Sequence, residues 1–444
     1  MLIAGEASGD VLAAELVRVL RQELAEAESI PTADYQPLRT SLEARFFGVG
    51  GPRMAAAGVD LAFDMTAHSV IGLSEALKHY LKFRRLFYQL FRLALERQPD
   101  AIICVDFSGF NRRFAHAIRQ YTRGRNDWFH DWNPRIIQYV SPQVWASREG
   151  RAYQMARDYD AVLSIFPFEK QWYAKRVPQL RVEFVGHPIA ERYGEGRGER
   201  TSRHPDALCA PEPQDGPITP ALSPSEGERG NRRQISGEPT FMGRVEGRGA
   251  MGMPMLLLLP GSRTSELARH LPVMIGALAS IRAQLPNLRV RMVLPNENLA
   301  LQAKALGLPV DLEVQVGGLP ESLAEADVAI ASTGTVTTEC AYFGVPTVAL
   351  YKTSWSTYQI ARRIVKVKYL AMPNLLANEE VFPEFIQGAA SPENIARATL
   401  ELLRDEGRRA RVKSKLVEVV ASLGGPGAMR RAARVIVETL KAKP

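Results

Sequence analysis

"LLLLPGSRTSEL", Leu256 to Leu267, sets four consecutive leucines against a Gly-Ser-Arg turn. Strands buried on both faces of a parallel sheet read as unbroken apolar runs. The run therefore predicts a sheet-core strand that breaks into a small, cationic loop. Gly261 and Ser262 expose backbone amides there, and Arg263 offers a rigid two-pronged donor that matches phosphate oxygens. The Gly-Lys-Ser/Thr ending of a Walker loop is absent, so nucleotide hydrolysis is not implied.

The same grammar repeats outward in both directions. "ARFFGVG", "DAIICVD", "RIIQYVS", "AVLSIF" and "VEFVGHP" precede it, and "LRVRMVLP", "ADVAIAS" and "PTVALY" follow, each separated by helical patterns. Alternation of this kind predicts the α/β class, with parallel sheets wrapped by helices. Two halves of similar size each open on a strand and a Gly-containing turn, which predicts twin Rossmann-like domains facing across a cleft. Their expected bounds are residues 1–193 and 251–444, with the last helices free to pack back on the first domain. Between them, 194–250 is rich in Gly, Pro, Ser, Arg and Glu with hardly an aliphatic pair, so a disordered insertion is expected. Glu28 to Glu43 reads as a polar loop extension after the first helix.

At 444 residues and 46% hydrophobic content, the chain is long enough for two or three domains with full cores. Three cysteines, Cys104, Cys209 and Cys340, have no paired spacing, so neither a disulfide framework nor a zinc site is expected, and a reducing cytosol fits. No window approaches the roughly 18 to 20 apolar residues of a membrane span, and the chain starts on a strand-like "MLIA" without a basic leader. Neither export nor insertion is expected. The net charge of +8 admits nucleic acid, an anionic membrane or phosphorylated ligands. Residues 194–250 carry eight Arg against nine Asp plus Glu, so the excess lies in the folded parts, and no nucleic-acid motif accompanies it.

Other stretches carry two readings each. "LIAGEASGD", Leu2 to Asp10, is a strand, a small-residue turn and a helix start, suited to an anionic or hydroxylated ligand, or else a tight turn with Asp10 as a helix cap. Its spacing is not GxGxxG, which argues against NAD. "ASTGTVTTECAYFGVPTVALY" places the turn Ser332 to Thr335 before a helix carrying Glu339, whose carboxylate suits ribose hydroxyls or merely lies on a helix face. "CVDFSGFN" puts Asp106 directly after a buried strand, as a turn former or as a general base. "YVSPQVWAS" and "FVGHPIAE" end strands with Trp145 and His187, residues that serve packing as readily as chemistry. In Ser74 to Gln98, Tyr80, Phe83, Leu86, Phe87, Leu90 and Phe91 share one arc, opposite Lys78, Lys82, Arg85 and Arg92. Such a helix either packs on its own sheet or also meets lipid.

In order, "AGEASGD", "GVGGPRM", "YVSPQVWA", "PFE", "FVGHPIAE", "LLPGSR", "STGTVTTE" and "PNLLANEEVFPEFIQ" resemble the lipid-A-disaccharide synthase family across nearly the whole chain outside 194–250. The resemblance implies the GT-B fold. It implies transfer of 2,3-diacylglucosamine from UDP to the 6-hydroxyl of 2,3-diacylglucosamine 1-phosphate, giving a β-1,6 disaccharide and UDP. Asp106 matches the family's D-x-x-x-F-N segment and is the expected base. Gly261, Ser262 and Arg263 would take the diphosphate without a metal or other cofactor, and Glu339 the ribose, with Thr335 and Asn374 nearby. Glu6, Ser8 and His187 are assigned to the cleft, the first two on the acceptor side. Acylated substrates imply work at the cytoplasmic face of the inner membrane, through the helix 74–98. The sequence departs from the family at Gly109, Ser147 and Asn378-Glu379. The rival readings are a UDP-N-acetylglucosamine epimerase or peptidoglycan-type transferase, and a non-catalytic UDP-sugar or lipid-binding protein. Oligomeric state is not encoded.

Overall fold

The computed structural model describes residues 1–28, 44–66, 76–125, 131–194 and 253–442, with 27–28 and 76–82 as backbone alone. The expected loop extension and the insertion therefore lie, apart from Glu28 and Gly194, outside the described residues.

Two sheets organise the chain. The first contains β1 (Leu2–Ala4), β2 (Phe47–Gly50), β3 (Asp60–Asp64), β4 (Ala101–Val105), β5 (Arg135–Tyr139), β6 (Ala161–Ser164) and β7 (Arg181–Phe184). Its order is β3-β2-β1-β4-β5-β6-β7, parallel throughout. The second contains β8 (Met255–Leu259), β9 (Arg289–Leu294), β10 (Glu313–Val316), β11 (Val328–Ser332), β12 (Thr347–Tyr351) and β13 (Glu384–Ile386). Its order is β10-β9-β8-β11-β12-β13, again parallel. Each sheet reverses its winding once, between β1 and β4 and between β8 and β11. Crossovers leave toward opposite faces there and open a crevice beyond the carboxyl ends of those strands.

The four leucines of β8 show why the strand is apolar throughout. Leu256 and Leu258 enter a core with the helices Thr264–Gln284 and Pro392–Arg404, while Leu257 and Leu259 enter the core on the other face with Cys340 and Phe382. Side chains alternate across a strand, so a strand covered on both faces has no polar positions. By contrast β3, β10 and β13, which the apolar-run criterion misses, are half-exposed edges with sequences DLAFD, EVQV and EFI. Charged edge positions discourage pairing with another chain and erase the hydrophobic signal.

The last helix, Ala428–Lys441, returns to the first sheet. Met429, Ala432, Ala433, Ile436 and Val437 share a core with Leu12, Leu16 and Leu20 of the helix Ala7–Glu28. Arg430 and Arg434 pair with Glu23 on its rim.

The helix expected over 74–98 runs Ala76–Arg97, and the described part of its aromatic arc packs inward. Leu86, Leu90 and Ala94 are buried, and Phe87 and Phe91 meet Phe114 at 5.7 and 6.4 Å between ring centres. The described part of the arc is therefore core, because the sheet face beside β4 needs covering; only Tyr88, under Arg84, turns outward. The side chains of Lys78, Tyr80 and Lys82 lie outside the described residues. Among the described residues no helix is long and apolar enough to cross a membrane.

Candidate active site

The Gly-Ser-Arg turn forms where β8 ends at its switch point. Gly261 has φ of 116°, and a Cβ there would stand 2.5 Å from the Glu266 carboxylate and 3.2 Å from Ser332 Oγ. Only glycine allows both the left-handed backbone and that approach. The helix Thr264–Gln284 starts immediately afterwards, with Arg263 as its N-cap residue. The Arg263 side chain is 72% exposed, and among the described residues its guanidinium is held by a 3.4 Å contact to Glu266 alone, which leaves it available to a ligand's charge. Buried His270 fixes the turn: Nδ1 donates to Pro260 O at 2.8 Å, and Nε2 accepts from Lys352 N at 3.0 Å. These bonds require the neutral ring, and burial lowers its pKa. A second helix, Thr335–Tyr342, opens next door after β11, with Gly334 at φ of 143°. Two helix N-termini thus converge, each presenting unpaired amides to an anion.

Asp106 faces them from the end of β4. It sits at φ of 49°, followed by Phe107 at 40°, a left-handed pair that carries strain in non-glycine residues. The distortion is held from outside. Asp106 O accepts from Asn111 Nδ2 at 2.8 Å and Gln138 Nε2 at 3.1 Å, while Asp106 N donates to Tyr139 O at 2.9 Å. Burial raises the pKa of the Asp106 carboxyl, against hydrogen bonds from the Phe107 amide and the Ser8 hydroxyl. Glu6, on the adjoining turn after β1, is also raised, first by burial and then by the Asp106 charge, with Arg263 pulling the other way. The two carboxyls and the guanidinium from the opposite domain therefore share one electrostatic neighbourhood.

Between the halves is a cavity of about 540 Å³. Asp106, His187, Gly261, Ser262, Arg263, Thr335 and Glu339 all line it. Glu6 and Ser8 are not part of its wall; they flank Asp106 on the β1 turn. His187 Nδ1 accepts from Ile189 N at 3.1 Å, and burial lowers its pKa to about 4. It is a neutral ring near pH 7, with Nε2–H as donor.

Two polar residues named from the sequence lie outside the cavity wall. Asn374 is fully buried and does not line the cavity. Its amide donates to Phe382 O and Glu384 Oε2 and accepts from Val381 N and Phe382 N, which uses its whole bonding capacity on the loop before β13. Asp10 caps a different helix from its own: its carboxylate accepts from Gly51, Arg53 and Met54 amides at 2.8 to 3.0 Å, at the start of Pro52–Ala56.

Several contributors had escaped the sequence reading. Gln138 and Asn111 hold Asp106, and His270 holds the diphosphate turn. Tyr193 donates to Glu339 across the cleft at 2.7 Å. Leu370 and Met372 complete the wall. Their segment follows the helix Trp355–Ile364, which has no buried residue and exposes Trp355 and Ile360 beside Arg362 and Arg363. Lys366 N then bonds to Ala146 O of the first domain at 2.9 Å. Among these, only His270, a lone histidine in an otherwise amphipathic helix close behind the turn, left a trace in local sequence.

Chemically, the cleft sets the half-buried Asp106 carboxylate against an anion-binding pair of helix starts, a geometry for displacing a phosphorylated leaving group. Among the described residues no group of three or more His, Cys, Asp or Glu is placed to hold a metal.

Comparison with known proteins accords with this geometry. A family profile described as Lipid-A-disaccharide synthetase matches residues 1–206 and 250–437. The lipid-A-disaccharide synthase of Trichlorobacter lovleyi is 32% identical over 446 residues, covering 99% of this chain and 97% of that protein. That of Anaeromyxobacter sp. is 33% identical over 448 residues, with the same coverage. In structure, the chain is similar to the glycotransferase of kitacinnamycin, with TM-score 0.53 at 17% identity over 99% of this chain and 98% of the other. That likeness bears on the fold alone, which is GT-B.

Proposed function

The chain belongs to the lipid-A-disaccharide synthase family, and from that premise we propose that its cleft joins UDP-2,3-diacylglucosamine to 2,3-diacylglucosamine 1-phosphate. The products are the β-1,6-linked disaccharide 1-phosphate and UDP. The observation that carries the reading is the placement of Asp106 and the Gly261–Arg263 turn on opposite walls of one cavity.

The steps follow from the residues. Asp106 takes the proton from the acceptor 6-hydroxyl as that oxygen bonds to the donor's anomeric carbon from the face opposite UDP. The bond from that carbon to the diphosphate oxygen breaks, and configuration inverts in one displacement. Burial keeps Asp106 more basic than an exposed carboxylate, which suits it to accept a proton. Negative charge grows on the departing diphosphate. The amides at Gly261 and Ser262, the helix starts at Thr264 and Thr335, and Arg263 meet it, so no metal is needed. Glu339 would bind the ribose, and Thr335 stands at the same helix start. His187, neutral and part of the cavity wall, would donate its Nε2–H to a substrate oxygen. Glu6 and Ser8 would orient Asp106 on the acceptor side.

Both substrates carry acyl chains, so the reaction takes place at a lipid surface on the cytoplasmic side of the inner membrane. Two elements support that reading: the cationic start of the helix Ala76–Arg97, and the helix Trp355–Ile364, which exposes Trp355 and Ile360 together with Arg362 and Arg363. Aromatic and cationic side chains together suit the interface of an anionic bilayer. The test is direct. Purified enzyme given both acylated substrates should release UDP and form the disaccharide in equal amounts. UDP-sugar epimerisation without a coupled product would refute the transferase reading.

A further inference from the structure

Glu339 does not wait free for a ligand. Its Oε1 accepts from the Tyr193 phenol at 2.7 Å and lies 3.8 Å from Arg192 Nη1, whereas Oε2 accepts no hydrogen bond from a described residue. The donors come from the other domain. Tyr193 and Arg192 belong to the short helix Ile189–Gly194, the last described element before the 195–252 segment.

That helix is anchored on the acceptor side. Glu191 accepts from Met429 N at 3.0 and 3.2 Å at the start of the returning last helix, and His187 N donates to Leu423 O at 2.8 Å. The Tyr193 ring meets Tyr342 and Phe343, at the end of Glu339's own helix, at 5.8 and 5.1 Å. The phenol is thus a fixed arm that reaches across the cleft. Burial and the Glu339 charge push its pKa up, so it stays a donor.

We propose that Tyr193 is a positioning residue for the donor nucleotide: it binds Glu339 Oε1 from the acceptor domain, setting the carboxylate so that Oε2 is available to a ribose hydroxyl. The inference rests on the donor-site reading above. A carboxylate has capacity for both partners, so phenol and ribose need not compete. The consequence is that nucleotide grip depends on how the two domains meet, because half of the ribose clamp is carried by the domain that holds the acceptor. A carboxylate with one oxygen already fixed also loses less rotamer freedom on binding.

The Tyr193→Phe variant removes the hydroxyl and keeps the ring contacts. Hydrogen bonds to charged groups are among the stronger ones, so UDP affinity by titration calorimetry should fall about tenfold. Donor KM should rise by a similar factor, with kcat and acceptor KM within about twofold of wild type. In a Glu339→Ala background the same change should alter UDP affinity by less than about twofold, since its target is gone. Equal UDP affinity for Tyr193→Phe and wild type would overturn the inference, and so would an undiminished tenfold loss in the Glu339→Ala background. Wild-type enzyme that binds no UDP would instead overturn the donor-site reading itself, and this inference with it.

Discussion

Trp145 donates its indole N–H to Glu169 Oε1 at 2.8 Å, inside the acceptor domain directly behind the cleft wall. Glu169 is fully buried and also accepts from Phe166 N, at the start of the helix Pro167–Ala174. Ser141 and Phe166 line the cavity, so this carboxyl supports the loop on which the acceptor side is built.

The Glu169 pKa is raised from an ordinary 4.5 to about 7, chiefly by burial, against the bonds from Trp145 and Phe166. A carboxyl raised on folding holds its proton longer in the native state, so its contribution to stability falls as pH rises through the window from about 4.5 to about 7. His187, lowered from 6.5 to about 4, acts oppositely and adds stability as pH rises through that range. The Glu169→Gln variant removes only the first effect. Urea melts from pH 4 to 8 should show wild type losing on the order of 3 kcal/mol relative to Glu169→Gln as pH rises. A pH-independent difference would show that Glu169 does not titrate in this window.

Arg263 is exposed and, among the described residues, makes a single weak contact, with Glu266, so folding should hardly notice its loss. Arg263→Ala should keep its melting temperature within about 2 °C and lose about 10² in kcat/KM for the donor, the range for removing one leaving-group or oxyanion donor. On the proposed mechanism protein groups carry that charge, so rates should be unchanged in excess chelator. A chelator-sensitive rate restored by a divalent cation would place the stabilising charge elsewhere.

At the lipid surface, replacing Lys78, Lys82, Arg84 and Arg85 with Glu should shift the protein from pellet to supernatant on vesicles containing anionic phospholipid. Trp355→Ser combined with Arg362→Glu should do the same in part. Each juxtamembrane cation contributes about 1 kcal/mol, so the quadruple change should weaken binding by at least 10². Unchanged partitioning of both variants would remove these helices from the membrane contact.

The doubly wound architecture was legible because β8, β4 and β11 are covered on both faces and carry unbroken apolar runs. The edges β3, β10 and β13 were not, since a half-exposed strand of three to five residues has no distinctive composition. Within the site, the turns after strands announced themselves through Gly, Ser and a charged residue. The side chains that hold those turns did not: Gln138 reaches Asp106 from the next strand, and Tyr193 reaches Glu339 across 146 positions. Such contacts arise only when the chain is folded and leave no local spacing. Asn374 shows the converse, a polar residue beside the nucleotide half whose capacity is spent entirely on its own loop. The arc of phenylalanines on the helix Ala76–Arg97 likewise fits lipid or core equally well on a wheel, and the edge-to-face contacts of Phe87 and Phe91 with Phe114 decide for core in its described part.

The most direct test concerns Asp106. Asp106→Asn keeps the size of the side chain and the backbone bonds to Asn111 and Gln138, and removes the proton acceptor. Measured with both acylated substrates, its kcat should fall by roughly 10² to 10⁴ while UDP binds within about twofold of wild type. Turnover near the wild-type rate would contradict the account, because the proton would then have another destination.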